Sequence, residues 1–398
     1  KLYTCAAALH FLEKDHQFET DVFSDTKNLI LKGGGDPDLS IKELDSLALE
    51  VSKKYKNIDT LFIDDTFLDS LNYGEGWMWD EGPWWYAAPI SALSVNDNCI
   101  DFYIKPGLVG KSASIDYHPK TSFIKLKNES ITVQDSVQKR LKIDRDWVLN
   151  KNNFNAYGEI IDTSDVDTLY RNIYDPSTFT GVVFKESLEK YGARVKTISK
   201  KKTSNKSYKK ISNHLSKPLI HSATNLMNES DNLTAELFVK SIGALDTLPG
   251  TWRVGLDSIK SFLAKEVLID TSNIRLADAS GVSRYNLTSA AQLNSLLKWM
   301  YNSLYKDDFI STLPGGGWKN STLEKRLINE GDLVRAKTGG LSGVRNLAGY
   351  IQSKKYGDVA FSILMNGYTD HSSRYARVHD QIVKSIISVS YTHLRAHE

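Results

Sequence analysis

The sequence predicts an α/β (α+β) protein in which an antiparallel sheet is flanked by helices and interrupted by a β-rich insertion. Three observations carry that expectation. Apolar residues at 2, 5, 6, 9 and 12 open the chain with the spacing of a buried helical face. Near the other end, branched apolar runs at 347–351 and 359–364 flank the turn Tyr356-Gly357-Asp358, as paired antiparallel strands do. Between them, residues from about 98 to 215 break into short alternating runs separated by Gly, Asn, Pro and Ser. The organisation expected is one discontinuous domain from residues 1–22 and 222–390, inserted β-rich subdomains at 23–221, and a tail at 391–398.

Each stretch has its own reason. Short strands at 18–23 and 28–32 lead into Gly33-Gly34-Gly35-Asp36-Pro37. No Lys-Ser/Thr follows these glycines, so they read as a turn and not as a phosphate cradle. Residues 41–55 form an amphipathic helix and 60–64 a buried strand. Tyr73, Trp77, Trp79, Trp84, Trp85 and Tyr86 are then interleaved with Gly74, Gly76, Gly82 and Pro83. That much Gly excludes a regular helix and sets the rings on a shaped loop, either a small core or a cleft wall. Strands follow at 122–126, 131–133 and 193–198. The seven lysines of 196–210 read as a solvated hairpin tip joining 193–198 to a strand at Ile211. Helices are expected at 233–242, 254–265 and 290–305, turns at 278–284 and 314–317, and a last helix at 380–389. The tail from Tyr391 breaks the periodicity and reads as non-native sequence.

Composition excludes little. The 398 residues carry a net charge of +2 with 25% charged residues, which gives no argument for nucleic acid. No apolar run is long enough to span a bilayer. The two cysteines, Cys5 and Cys99, lie in apolar contexts and read as buried thiols. No metal site and no cofactor are expected. His-Glu-x-x-His does not occur, and Gly340-Leu341-Ser342-Gly343 lacks the glycine pattern of a nucleophile elbow.

The chemistry gathers around Ala336-Lys337-Thr338-Gly339-Gly340-Leu341-Ser342-Gly343. A Lys and a Thr followed by bare glycines make a strand edge along which an extended peptide can lie, with a cation for a carboxylate. Ser230-Asp231-Asn232 stands upstream, just ahead of the helical run at 233–242. Ser-x-x-Lys, Ser-Asp-Asn and Lys-Thr-Gly together are a signature of penicillin-binding proteins and β-lactamases. Lys1 opens a core helix with no cap residue before it. It is therefore expected to be the Lys of Ser-x-x-Lys, in a chain truncated three residues after the serine.

With these motifs, KLYTCAAALHFL, LILKGGGDP, FIDDTF, GEGWMWDEGPWWYAAPISALSVNDN, NESDNLTAEL, DASGVSRYNLT and AKTGGLSGVRNLAGY make the sequence resemble a known family. It is the serine D-Ala-D-Ala carboxypeptidase/endopeptidase family, the low-molecular-mass class C penicillin-binding proteins. The segments span nearly the whole chain in family order. Two positions depart from the family: Ala279, where Gly is usual, and Gly340, where Thr or Ser is common. The resemblance implies a penicillin-binding-protein/β-lactamase-like catalytic domain and an exported, periplasmic or envelope location. It makes Lys1, Ser230, Asn232 and Lys337 the catalytic set. Thr338, Gly339, Gly340 and Ser342 become the substrate-binding set, to which the aromatic loop adds Trp77 and Asp80; Asp80 reads first as a solvent-facing acid, with pairing to a substrate ammonium as the other reading. The expected partners are the D-Ala-D-Ala end of a peptidoglycan stem peptide and, as inhibitors, β-lactams. Nucleic acid is not expected, and membrane contact is peripheral at most. Without its serine the chain as given is expected to be inactive; the other reading is a non-catalytic binding relative.

Overall fold

A computed structural model describes residues 1–202 and 208–389. Residues 203–207, inside the lysine-rich stretch, and 390–398, which include the expected tail, lie outside the described residues.

Helix α1 (Leu2–Phe11) has no polar face, and Leu2 through Leu9 are all buried. A helix apolar all round belongs in the middle of a core. It packs mainly against the helices that begin after residue 218.

The chain then builds most of an αβ layer. Strand β1 (Glu19–Ser24) leads to β2 (Leu29–Gly33), helix α2 (Ile41–Ser52) and β3 (Asn57–Asp64). A full capping box between Ser40 and Glu43 starts α2. Strands β4 (Cys99–Lys105), β5 (Ser114–His118), β6 (Lys125–Val133), β7 (Lys142–Arg145), β8 (Asn153–Ile161) and β9 (Asp167–Asn172) form two three-stranded sheets, ordered β5-β4-β9 and β6-β8-β7. Helix α3 (Pro176–Lys190), β10 (Arg194–Lys200) and β11 (Lys209–Leu215) complete a five-stranded sheet of order β10-β3-β2-β1-β11.

Several expectations change here. The boundary set between residues 22 and 23 falls inside β1, whose pairing with β11 runs through it. The stretch 23–221 is not only β-rich, since α2 and α3 cover its sheet. Asp175 caps α3 and Pro176 sits in its first turn, a helix start that the surrounding strand pattern masks. Strands β10 and β11 lie at opposite edges of the sheet, so 193–198 does not pair with the strand at Ile211. The three glycines at 33–35 do more than turn. A Cβ on Gly33 would stand 2.2 Å from the Ala92 carbonyl oxygen, so the bare backbone lets the segment at 92 dock. Leu68, Ile90 and Ala92 consequently belong to the helical core that holds α1.

The second half is helical around one small sheet. Helices α4 (Leu219–Asn228), α5 (Asn232–Asp246), α6 (Trp252–Lys265), α7 (Ala290–Asn302) and α8 (Lys306–Thr312) precede β12 (Val334–Leu341), β13 (Val344–Ser353) and β14 (Gly357–Asn366). Helix α9 (Ser372–Ser388) closes the described chain, beginning eight residues earlier than the sequence suggests. The antiparallel sheet is ordered β12-β13-β14, with Lys337 opposite Ala348 and Gly340 opposite Arg345. Side chains alternate across a strand. Val334, Ala336, Leu347, Ile351 and Phe361 therefore pack on Val383 and Ile387 of α9. Ala348 and Tyr350 join the core of α1 on the other face. The sheet thus separates α9 from α1. Strand β12 is an edge, covered by described residues only near its start, where Gly315 bridges Arg335 and the Ala336 N–H donates to the Pro314 carbonyl (3.0 Å).

Candidate active site

The site forms where α1 begins, α5 begins and β12 crosses behind them. Alternation along β12 turns Lys337 away from α9 and toward the helical core, and it is 5% exposed. Its Nζ is buried without a hydrogen-bond partner among the described residues. Burial pushes its pKa well below the ordinary lysine value, and the nearby charge of Lys1 adds to that.

Lys1 Nζ donates to Asn232 Oδ1 (2.6 Å) and to the Ser280 carbonyl (2.7 Å). Burial lowers its pKa, opposed by Asp231, Asp278 and Glu236. Asn232 is buried in the first turn of α5, and its Nδ2 donates to the Tyr86 carbonyl (2.7 Å). Asp231 caps α5 by accepting from the Leu233 and Thr234 N–H groups. Ser230 stands between α4 and α5 with φ 68°, a left-handed backbone that a non-glycine residue adopts only under constraint. It is half-buried two residues from Asn232, and its side chain makes no hydrogen bond among the described residues.

The structure draws the other expected residues together unevenly. Thr338 and Gly339 lie half-buried on β12, and Gly340 is exposed. Ser342 is exposed in the β12–β13 turn, where its carbonyl accepts from Arg284 Nη2 (3.0 Å). Trp77 Nε1 donates to Asp278 Oδ2 (3.0 Å), which ties the aromatic loop to the site. Asp80 stands exposed on the short turn Trp79–Glu81, near the Tyr86 hydroxyl.

Two carboxylates that motif reading missed hold the loop under Lys1. Glu236 accepts from the Ala279 N–H (3.0 Å), the Ser280 N–H (2.8 Å) and Trp252 Nε1 (2.7 Å). Burial and Asp278 push its pKa up to about 7. Asp278 accepts from the Gly281 and Ser283 N–H groups and from Asn286 Nδ2. Together they aim the Ser280 carbonyl at Lys1. Asn232, Glu236 and Lys240 recur every four residues along an otherwise apolar helix, a sequence signal for a buried polar stripe.

A buried lysine pair set between a helix start and a sheet edge, in this mixed fold, defines the class of penicillin-binding-protein and β-lactamase-like proteins. The chain belongs to the D-Ala-D-Ala carboxypeptidase 3 (S13) family, whose model matches residues 1–386. That makes it a hydrolase of serine-peptidase type. It is 31% identical over 395 residues to the D-alanyl-D-alanine carboxypeptidase of Actinomadura sp. strain R39, covering 93% of this chain and 72% of that one. It is 28% identical over 390 residues to the D-alanyl-D-alanine carboxypeptidase DacB of Haemophilus influenzae, covering 93% and 80%. The crystal structure of penicillin binding protein 4 (dacB) from Haemophilus influenzae superposes with a TM-score of 0.83 at 24% identity, over 98% of this chain and 90% of that one. A second crystal structure of that protein holds a β-lactam. Among the described residues, no helix is long and apolar enough to cross a membrane.

Proposed function

We propose that this protein removes the terminal D-Ala from, or cleaves cross-links between, peptidoglycan stem peptides through a serine acyl-enzyme, in the cell envelope after export. The nucleophile in this reading is a serine three positions before Lys1, outside this sequence and one helical turn away on the same face. The observation that carries the reading is the setting of Lys1. A neutral lysine amine has two N–H donors and one lone pair. Asn232 Oδ1 and the Ser280 carbonyl take both donors, which leaves the lone pair for the serine proton. Burial favours that neutral form, against the pull of Asp231, Asp278 and Glu236.

In the reaction the serine oxygen bonds to the carbonyl carbon of the penultimate D-Ala while its proton passes to Lys1. The C–N bond then breaks, and Ser230 relays the proton to the leaving amine. Water hydrolyses the ester in a second half-reaction. Lys337 and Thr338 bind the terminal carboxylate, Asn232 holds a substrate amide, and the Gly340 N–H supplies half of an oxyanion hole. Gly339 lets the substrate backbone approach, Ser342 and Trp77 border the cleft, and the exposed Asp80 faces a substrate ammonium. A β-lactam, whose strained amide replaces the scissile bond, acylates the same serine.

Labelling by a fluorescent penicillin tests this. A polypeptide of these 398 residues is expected to stay unlabelled, and one extended upstream to include the serine to be labelled. Lys1→Ala in the extended protein should abolish labelling. Robust labelling of the unextended polypeptide would place the nucleophile elsewhere and remove Lys1 from its role.

A further inference from the structure

Beside the site the protein shows an aromatic surface that the reaction above does not use. Met78 and Trp79 of the aromatic loop are exposed, as are Val148 and Leu149 after strand β7, and Trp79 is 79% exposed. The two segments meet ring to ring. Trp79 and Trp147 have centroids 5.4 Å apart, with their planes tilted by 37°. Trp84 lies under the Arg171 guanidinium (4.5 Å), whereas the one ring contact of Trp79 among the described residues is Trp147. Both segments are braced. Asp146 accepts from Asn153 Nδ2 (3.2 Å) and Asn155 Nδ2 (3.0 Å), and its carbonyl accepts from the N–H groups of Leu149 (3.1 Å) and Lys151 (3.2 Å). Gly82 has φ 54°, and a Cβ there would stand 3.2 Å from Trp147 Cε2, so the bare backbone lets the indole settle against the aromatic loop. The same loop reaches the catalytic set. Tyr86 Oη donates to Glu81 Oε2 (2.6 Å), and the Tyr86 carbonyl accepts from Asn232 Nδ2 (2.7 Å).

We propose, resting on the substrate read above, that Trp79 and Trp147, with Val148 and Leu149, form a stacking surface for the glycan strand to which the stem peptide is attached. A pyranose ring can present a face of C–H bonds, apolar and weakly positive. The face of an indole is apolar and weakly negative, so the two stack. An exposed apolar patch continuous with a substrate cleft is a natural extension of that cleft. The charges argue against a bilayer as its occupant. Within two residues of Trp79 and of 147–149, Arg145 is buried, and the solvent-facing charges are Asp80, Glu81, Asp146 and Lys151. Acids outnumber bases there, which disfavours a surface of anionic lipid. An uncharged sugar ring meets no such penalty, and the exposed Asn150 adds an amide for its hydroxyl and N-acetyl groups.

The probe is peptidoglycan glycan strands freed of peptide by an amidase, titrated calorimetrically into the polypeptide of these 398 residues. Saturable binding is expected, weakened roughly tenfold in Trp79→Ala and again in Trp147→Ala. In the polypeptide extended to include the serine, Trp79→Ala should raise KM for glycan-linked stem peptides and leave kcat/KM for a soluble D-Ala-D-Ala peptide unchanged. Strands that do not bind, or that bind Trp79→Ala equally well, overturn the proposal. So does binding to phosphatidylglycerol vesicles that Trp79→Ala abolishes, or a dimer that it dissolves, since either gives the face to another occupant. Should Trp147→Ala fail to fold, the exposed Trp79 decides through Trp79→Ala. Strand binding needs no nucleophile, so its failure and a failure of penicillin labelling are separate results.

Discussion

Lys1 and Lys337 share one buried space, and two ammonium groups there repel each other. A base must be neutral to accept a proton, so acylation should rise with pH as Lys1 deprotonates, along a limb below the ordinary lysine range. In the extended protein, Lys337→Ala removes the opposing charge and should raise the pKa of Lys1. The acid limb of the penicillin acylation rate then moves to higher pH, with a rate loss on the order of a hundredfold or more from the missing carboxylate contact. A limb that stays in place would show that the two lysines do not communicate. Glu236 supplies a second test. Its folded pKa, about 7, lies above the ordinary 4.5, so the folded state holds this proton more tightly than the unfolded chain. Its contribution to stability is full below about 4.5 and is lost as pH rises through about 7. Glu236→Gln should flatten that part of the denaturation-versus-pH curve. It should also lower stability by about 1–3 kcal/mol, because an amide nitrogen must face one of three donors.

Helix α5 carries the site at its start and an anchor further along. Lys240 is fully buried, donates to the Leu71 carbonyl (2.8 Å), pairs with Asp69 (2.7 Å) and lies over the Trp252 ring. Lys240→Met should cost about 3 kcal/mol in urea unfolding by stranding Asp69. Residues 69–90 should then become more open to limited proteolysis. Intact loop protection would mean that the aromatic segment is held by its rings alone. What the sequence disclosed at this scale follows from what is local. The strands β12 to β14 are legible as branched runs around turns, and α5 as a helical run just behind Ser230-Asp231-Asn232. The lysines and the Ser-Asp-Asn tripeptide are legible because motif spacing is written in the chain. The parallel pairings of β2 with β3 and of β6 with β8 are not, because register between distant strands is decided by packing. Glu236 and Asp278 escaped for the same reason, since their partners come from a loop that only the folded chain brings near.

Across the molecule, one side chain of the inserted strands grips the segment that borders the site. Asn172, at the end of β9, is fully buried and its Nδ2 donates to the carbonyls of Gly82 (3.1 Å), Trp84 (2.8 Å) and Ala87 (3.0 Å). That grip shapes the segment whose Tyr86 carbonyl accepts from Asn232. Asn172→Ala leaves several acceptors unpaired, at about 1–3 kcal/mol. In the extended protein it should slow penicillin acylation at least tenfold without touching Lys1, an effect measurable as kcat/KM beside an unchanged far-ultraviolet circular dichroism spectrum. An unchanged rate would show that the insertion is only ballast. The edge of β12 has a consequence of another kind. Because Pro314 and Gly315 already occupy its first residues, unpaired backbone is offered only from about Lys337 to Leu341. At ~3.3 Å per residue that strip is a ruler of about 16 Å. A guest strand can lie along it for only a few residues before running out of rail, so length itself becomes a criterion of admission, independent of any side chain.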